Sequence, residues 1–143
     1  MLCCQQRRFG LEHQGGCHCG AVRYTVSGEP QHVALCHCSD CRKSAGAPAV
    51  AWAALAEGEF KLLQGELTTF NSSGSAMRSF CPKCGTNIAY RNDDMLPGIV
   101  DIQAATLDNP DVLPVQAHIQ TAERLGWMAH AHELPQFERY PGM

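Results

Sequence analysis

Gly15-Gly16-Cys17-His18-Cys19-Gly20-Ala21-Val22-Arg23-Tyr24-Thr25-Val26 holds both features on which the reading of this chain turns. Residues 21–26 alternate apolar and polar side chains, which suits a half-buried strand because successive side chains point to opposite faces. The two cysteines before them are one residue apart. On flat extended backbone such residues sit about 7 Å apart, too far for two sulfurs to share one ion. A bend is required, and Gly20 permits it. The stretch reads as a sulfur-bearing turn feeding a strand.

Both features recur downstream. Cys36-His37-Cys38-Ser39-Asp40-Cys41 places three thiols in one hexapeptide, and Cys81-Pro82-Lys83-Cys84-Gly85 is a CxxC loop whose glycine suits the positive φ that ends such a turn. Further strands are expected over residues 33–35, 48–55, 60–63, 67–70, 76–80, 87–90 and 99–102. Gln64-Gly65-Glu66 and Asn71-Ser72-Ser73-Gly74-Ser75 supply turns between them. The alanines of 48–55 also suit a helix, but the run is short and lies between Gly46 and Gly58, which favours a strand. Helical turns are expected only over 39–45 and 121–127. This spacing predicts a mainly β protein, a sandwich or open barrel of antiparallel sheets. Residues 1–14 read as an N-terminal extension and 15–143 as a single domain.

The chain has 143 residues, 45% of them hydrophobic and 17% charged, enough to bury one core. Its formal charge of −3 argues against a general nucleic-acid binder, which needs an excess of Lys and Arg to displace counterions. No apolar run approaches the length of a membrane span, and no apolar stretch follows Arg7 and Arg8 as a secretory leader would require. The expectation is a soluble, cytoplasmic protein with no nucleic-acid or membrane partner.

Nine cysteines are more than a cytosolic core needs, and an odd number cannot all pair within one chain. A reducing compartment disfavours stable disulfides. Cys3 and Cys4 stand apart, and no role is assigned to them. The other seven divide as four plus three: Cys17, Cys19, Cys81 and Cys84 as two knuckles closing on one ion, and Cys36, Cys38 and Cys41 as a three-ligand set. Zinc in structural sites takes four ligands, while catalytic sites commonly keep three protein ligands and one open position. Two sites with one open is the preferred reading. A redox role, or seven purely structural thiols, are the alternatives.

The ordered cysteine motifs, with Arg78-Ser79-Phe80 before the CxxC loop, Thr106-Leu107-Asp108-Asn109-Pro110, and the tail residues His118-Ile119, Arg124, Trp127 and Leu134-Pro135-Gln136-Phe137, resemble the glutathione-dependent formaldehyde-activating enzyme family, whose relatives include centromere protein V. The resemblance implies a zinc-binding β-tent of folded antiparallel sheets with short helical turns. It implies two zinc ions per chain: a structural one on Cys17, Cys19, Cys81 and Cys84, and a catalytic one on Cys36, Cys38 and Cys41. The implied activity is that of a carbon–sulfur lyase, similar to an S-(hydroxymethyl)glutathione synthase, acting on the adduct of a small thiol (glutathione) and an aldehyde (formaldehyde). A non-catalytic zinc-binding protein-interaction module is the alternative, since fold alone does not establish activity. The chain departs from the family pattern at Ala104-Ala105, Leu125-Gly126 and Glu123.

An anionic thiol calls for nearby cations. Arg42, Lys43 and Arg124 are the candidate substrate contacts, and Arg78 is a further positive group close in sequence to the CxxC loop. His18 and His37 lie between paired cysteines, so each side chain is expected to point away from the ligands. Asp40 is expected to cap the turn that follows Cys38. Trp52 and Trp127 are read as core residues.

Overall fold

The structure, a computed structural model, describes residues 12–142; Cys3 and Cys4 lie outside that range. In chain order the elements are β1 (Glu12–Gly16), β2 (Arg23–Ser27), β3 (His32–Cys36), α1 (Ser39–Ala45), β4 (Val50–Ala56), β5 (Phe60–Gln64), β6 (Thr68–Ser73), β7 (Ala76–Phe80), β8 (Asn87–Asn92), β9 (Ile99–Gln103) and β10 (Ala117–Ile119), with short 3-10 turns between and after them. Two sheets result. One is three-stranded, in the order β1-β2-β5, and the other seven-stranded, in the order β10-β3-β4-β9-β8-β7-β6.

The core lies where these sheets meet. Tyr24 and Val26 of the smaller sheet, with Val22 just before β2, pack with Val33, Ala53, Leu55, Ile88, Val100 and Ile102 of the larger one. Each large side chain buried this completely contributes about 1.5–3 kcal/mol of transfer free energy. β4 settles the helix-or-strand question by its period of two. Ala53 and Leu55 enter this core, whereas Val50 and Trp52 join Cys36 and Cys41 in a second buried cluster on the opposite face. The large sheet therefore carries the main core on one face and a thiol-rich cluster on the other.

β1 is a strand that sequence periodicity does not announce. It pairs with β2 from Glu12↔Ser27 to Gly16↔Arg23, and its fit depends on a missing side chain. A Cβ on Gly15 would stand 2.5 Å from the Tyr24 hydroxyl and 2.6 Å from the Thr106 carbonyl. That close approach lets Tyr24, fully buried, share a 2.7 Å hydrogen bond with Thr106 Oγ1.

The tail differs from expectation in three ways. β10 adds to the outer edge of β3 in parallel, with Ala117↔Ala34 and Ile119↔Cys36, against the antiparallel rule of the other strand pairs. In place of one helical turn, residues Thr121–Glu123 and Gly126–Glu133 form separate 3-10 segments. Trp127 on the second of these is 54% exposed and is not a core residue: its segment lies outside both sheets. Trp52, in contrast, is buried as expected.

Candidate metal centres

The first group of sulfurs is assembled from two stretches far apart in sequence, the turn after β1 and the loop between β7 and β8. Cys17 follows β1 and starts a turn in which the Gly20 N–H donates to the Cys17 carbonyl. Gly20 has φ of 81°, the bend that the Cys17-His18-Cys19 spacing demands. Cys81 follows β7, and its loop closes through Gly85 N–H to the Cys81 carbonyl and Cys81 N–H to the Thr86 carbonyl. Cys17 and Cys19 sulfurs are 3.5 Å apart, and Cys19 and Cys81 sulfurs 3.9 Å. A tetrahedron with Zn–S bonds near 2.3 Å has S···S edges of about 3.8 Å. All four sulfurs lie within 4.8 Å of one another.

The second group is built around a helix start. Cys36 ends β3. Cys38 is the N-cap of α1, its sulfur accepting from the Cys41 N–H at 3.2 Å, and Cys41 is buried in the first turn. The cap is thus the cysteine, and Asp40, expected in that role, instead accepts a hydrogen bond from Ser73 Oγ of β6 at 3.0 Å. The C-terminal end of α1 closes at Gly46, left-handed with φ of 63°. The sulfurs of Cys36, Cys38 and Cys41 also lie within 4.8 Å of one another, and no fourth His, Cys, Asp or Glu donor joins them among the described residues.

The electrostatics of both groups fit a divalent, thiophilic cation. The Cys41 thiol is lowered to about 5, first by hydrogen bonding from Cys36, against the opposing effect of burial, and further by Cys38, Trp52 and the Arg78 charge. Its gain is its neighbours' loss: Cys36 is pushed up by Cys41 and by burial, and Cys38 by burial and then Cys41. In the first group, hydrogen bonds from Thr86 lower Cys84 to about 5. Cys19 rises to about 11, because its sulfur neighbours outweigh the favourable backbone N–H of Ala21. The three-sulfur group accepts one negative charge readily and resists the next, while in the four-sulfur group Cys17 is lowered along with Cys84 and Cys19 is the thiol that resists. A bound dication removes that resistance, since coordination stabilises thiolates outright. Four sulfurs complete a tetrahedral set, whereas three leave one position for another ligand.

Arg78 is the most committed charge beside the second group. It is 5% exposed, and its two Nη atoms lie 3.9 and 3.8 Å from Cys41 Sγ. Nε donates to Ser72 Oγ at 2.9 Å, and the guanidinium stacks 4.9 Å from the Tyr90 ring centre. No carboxylate pairs with it among the described residues. A buried guanidinium without a carboxylate needs another anion, and Cys41 is the sulfur in reach. The sequence places Arg78 near the CxxC loop but gives no sign that it reaches across to the other thiol group.

The three expected substrate contacts differ in exposure and surroundings. Lys43 is exposed and lines a groove of about 510 Å³ with Ser44, Phe70, Arg78, Phe80 and Asn87. Arg42, its neighbour, is half-buried with Nε unpartnered. Arg124 is exposed on the tail; protonation of His37 is disfavoured by burial first, then by His118, and least by the Arg124 charge.

His18 is exposed. His37, fully buried, points away from the sulfurs and meets His118 of β10 through Nε2···Nδ1 at 2.9 Å. The tail gains a second tie through Glu123, whose carboxylate accepts from Ser39 Oγ at 2.9 Å. These contacts span 81 and 84 residues of sequence, and no local pattern could have revealed them.

A mainly β chain with two faces to its large sheet carries two crowded thiol groups, one with four sulfurs and one with three, each of which could hold a metal ion. Comparison with known proteins narrows the reading. The family model described as "Glutathione-dependent formaldehyde-activating enzyme" matches residues 12–123, and the chain belongs to that family. A Halomonas elongata protein named "Putative glutathione-dependent formaldehyde-activating enzyme" is 29% identical over 126 residues, 80% of this chain and 78% of that one. An uncharacterized lyase of Schizosaccharomyces pombe is 30% identical over 83 residues, 57% of this chain and 60% of that one. Among solved structures, a Rhodobacter sphaeroides protein superimposes with a TM-score of 0.58 at 27% identity, over 73% of this chain and 98% of that one. Among the described residues no helix is long and apolar enough to cross a membrane.

Proposed function

We propose that this chain is a zinc-dependent enzyme of carbon–sulfur bond chemistry that acts on the adduct of glutathione and formaldehyde, with two zinc ions per chain. Cys17, Cys19, Cys81 and Cys84 hold the structural ion, and Cys36, Cys38 and Cys41 hold the catalytic one. The observation that carries this reading is the inequality of the two groups: four sulfurs in one, three in the other. Zinc at the three-sulfur group supplies a thiophilic position that keeps a substrate thiol deprotonated at neutral pH.

The chain's own residues do the rest. Cys36, Cys38 and Cys41 hold the metal from the end of β3 and the first turn of α1. Arg78 offsets the excess negative charge of the sulfurs from 3.8 Å. Arg42, Lys43 and Arg124 supply positive field toward an anionic thiol. The substrate thiolate attacks the aldehyde carbon, the C–S bond forms, and the carbonyl electron pair moves to oxygen, which takes up a proton. The reverse cleaves the C–S bond. A cytoplasmic setting keeps all seven sulfurs reduced.

The test is the rate of S-hydroxymethylglutathione exchange by NMR in the zinc-loaded protein, corrected for the spontaneous reaction. Acceleration is expected, and Cys38→Ser is expected to abolish it together with glutathione binding. Equal rates with and without protein refute the enzymatic reading and leave a protein-interaction role.

A further inference from the structure

The last stretch of the chain is an arm with little to hold it. Among the described residues, 125–142 hydrogen-bond and ion-pair only with one another. Met128 N–H donates to the Leu125 carbonyl, Leu134 N–H donates to the Ala131 carbonyl, and the Glu133 carboxylate meets His130 and His132. Neither buried cluster takes a residue later than Leu113. Yet the arm is rich in large apolar groups. Trp127, Leu134, Phe137 and Tyr140 are each more than half exposed, and an aromatic side chain contributes about 150–250 Å² when covered.

The surface of the whole chain shows the same surplus. A folded monomer of 15.6 kDa exposes about 7,300 Å², whereas this chain exposes 9660 Å². Setting aside residues 1–11 with their mass, even at the roughly 160 Å² per residue of an unfolded chain, leaves an excess of about 1,000 Å². A stable interface takes about 800 Å² from each partner. The excess is the size of one interface.

The same chain carries a complement to the arm. The groove beside the three-sulfur group is lined by two cations, Lys43 and Arg78, and by no acid, and its wall residue Phe70 is exposed. Among the described residues Lys43 takes part in no ion pair, and neither does Glu138, which follows Phe137 on the arm. No arm residue lines the groove of its own chain. The arm departs from β10, whereas Phe70 sits on β6 at the opposite edge of the seven-stranded sheet, six inter-strand steps or about 29 Å away.

We infer that residues 125–140 form an exchange arm: in a two-fold dimer of this chain each arm lies on the partner's groove, with Phe137 against the aromatic wall and Glu138 toward Lys43. Two-fold symmetry uses arm and groove twice and leaves neither uncovered. Arg78 lines the groove while its Nη atoms face Cys41, so each three-sulfur group is bordered by the partner's arm. The inference is independent of the proposed activity.

Sedimentation equilibrium of the zinc-loaded full chain reads the assembly directly. The expected particle has twice the 15.6 kDa of one chain. Phe137→Asp removes a central aromatic contact, about thirtyfold in affinity. The two-fold contains that contact twice, so the dissociation constant is expected to rise about a thousandfold. An unchanged circular dichroism spectrum shows that this variant still folds. Lys43→Glu or Glu138→Lys alone is expected to weaken the dimer about tenfold, since each pair occurs twice, and the double reversal to restore it. A monomeric unaltered chain overturns the inference, whether or not another protein binds the arm. So does a dimer that ignores Phe137→Asp. A dimer weakened by Phe137→Asp but not restored by the double reversal overturns the groove as the arm's landing place.

Discussion

Replacing Arg78 by methionine removes a guanidinium of similar length from a buried site and leaves its sulfur partner behind. Two unit charges about 4 Å apart interact by about 4 kcal/mol at an effective dielectric near 20, and the Nη–Sγ distances here are 3.8 and 3.9 Å. Part of that is returned because the arginine no longer has to be desolvated, yet breaking a buried pair by removing one partner typically costs about 3–5 kcal/mol. A net loss of about 3 kcal/mol corresponds to about two decades in affinity. The expected outcome for Arg78→Met is metal binding about a hundredfold weaker at Cys36, Cys38 and Cys41. The Cys17, Cys19, Cys81 and Cys84 site should be unchanged. Cobalt titration against a competing chelator, following the thiolate-to-metal absorption, resolves the two sites in one protein. Arg78→Lys, which keeps the charge but not the fork, should fall between. If both sites of Arg78→Met bind cobalt as the unaltered chain does, the guanidinium does not balance the sulfur charge and the reasoning is wrong.

Three further outcomes follow from the same structure. Cys81→Ser should yield insoluble or unfolded protein, because coordination at a structural site is folding free energy; a soluble variant with an unchanged melting temperature refutes it. Tyr24 is raised to about 12 by burial, partly countered by its bond to Thr106. Its contribution is fully present below pH 10, its unfolded value, and is lost as the pH climbs toward 12. Alkaline unfolding coincident with tyrosinate absorbance, and absent as a coupled event in Tyr24→Phe, is the expected signature. Asp101 is buried with Oδ1 unpartnered, and burial raises its carboxyl, so ionisation there opposes folding at neutral pH. Asp101→Asn should therefore stabilise by about 1 kcal/mol at pH 7, and the gain in melting temperature should shrink toward pH 4; no gain at pH 7 counts against the assignment.

Much of this architecture was legible because its signals are local. The alternating stretch 21–26 overlaps β2 (Arg23–Ser27), the two glycine turns lie where the spacing asked for them, and the three-thiol group is complete within one hexapeptide, leaving two cysteine pairs to make up the group of four. What escaped is long-range. β1 reads Glu12-His13-Gln14-Gly15-Gly16, with no apolar period; its pairing is specified by β2 and by the space that Gly15 leaves for Tyr24. β10 has three exposed residues and exists because the edge of β3 has free backbone groups. His37 was expected to face away from the ligands, as it does, but its partner His118 is far off in sequence. Asp40 has the chemistry of a cap, yet the Cys38 sulfur lies closer to the Cys41 N–H and takes that place. The basic residues were the least legible, since charge patterns do not distinguish the buried Arg78 from the exposed Lys43.

The way the sulfurs are distributed along the chain has a consequence for assembly on the ribosome. The three-thiol loop is complete within six consecutive residues, whereas the four-thiol centre must wait until residue 84 has emerged to meet residue 17. A metal ion reaching the nascent polypeptide meets the three-thiol loop first, so the growing chain offers a metal trap before it has the scaffold to shape it. Correct loading then depends on the looser three-thiol loop exchanging its ion quickly enough for the late-forming scaffold site to be filled.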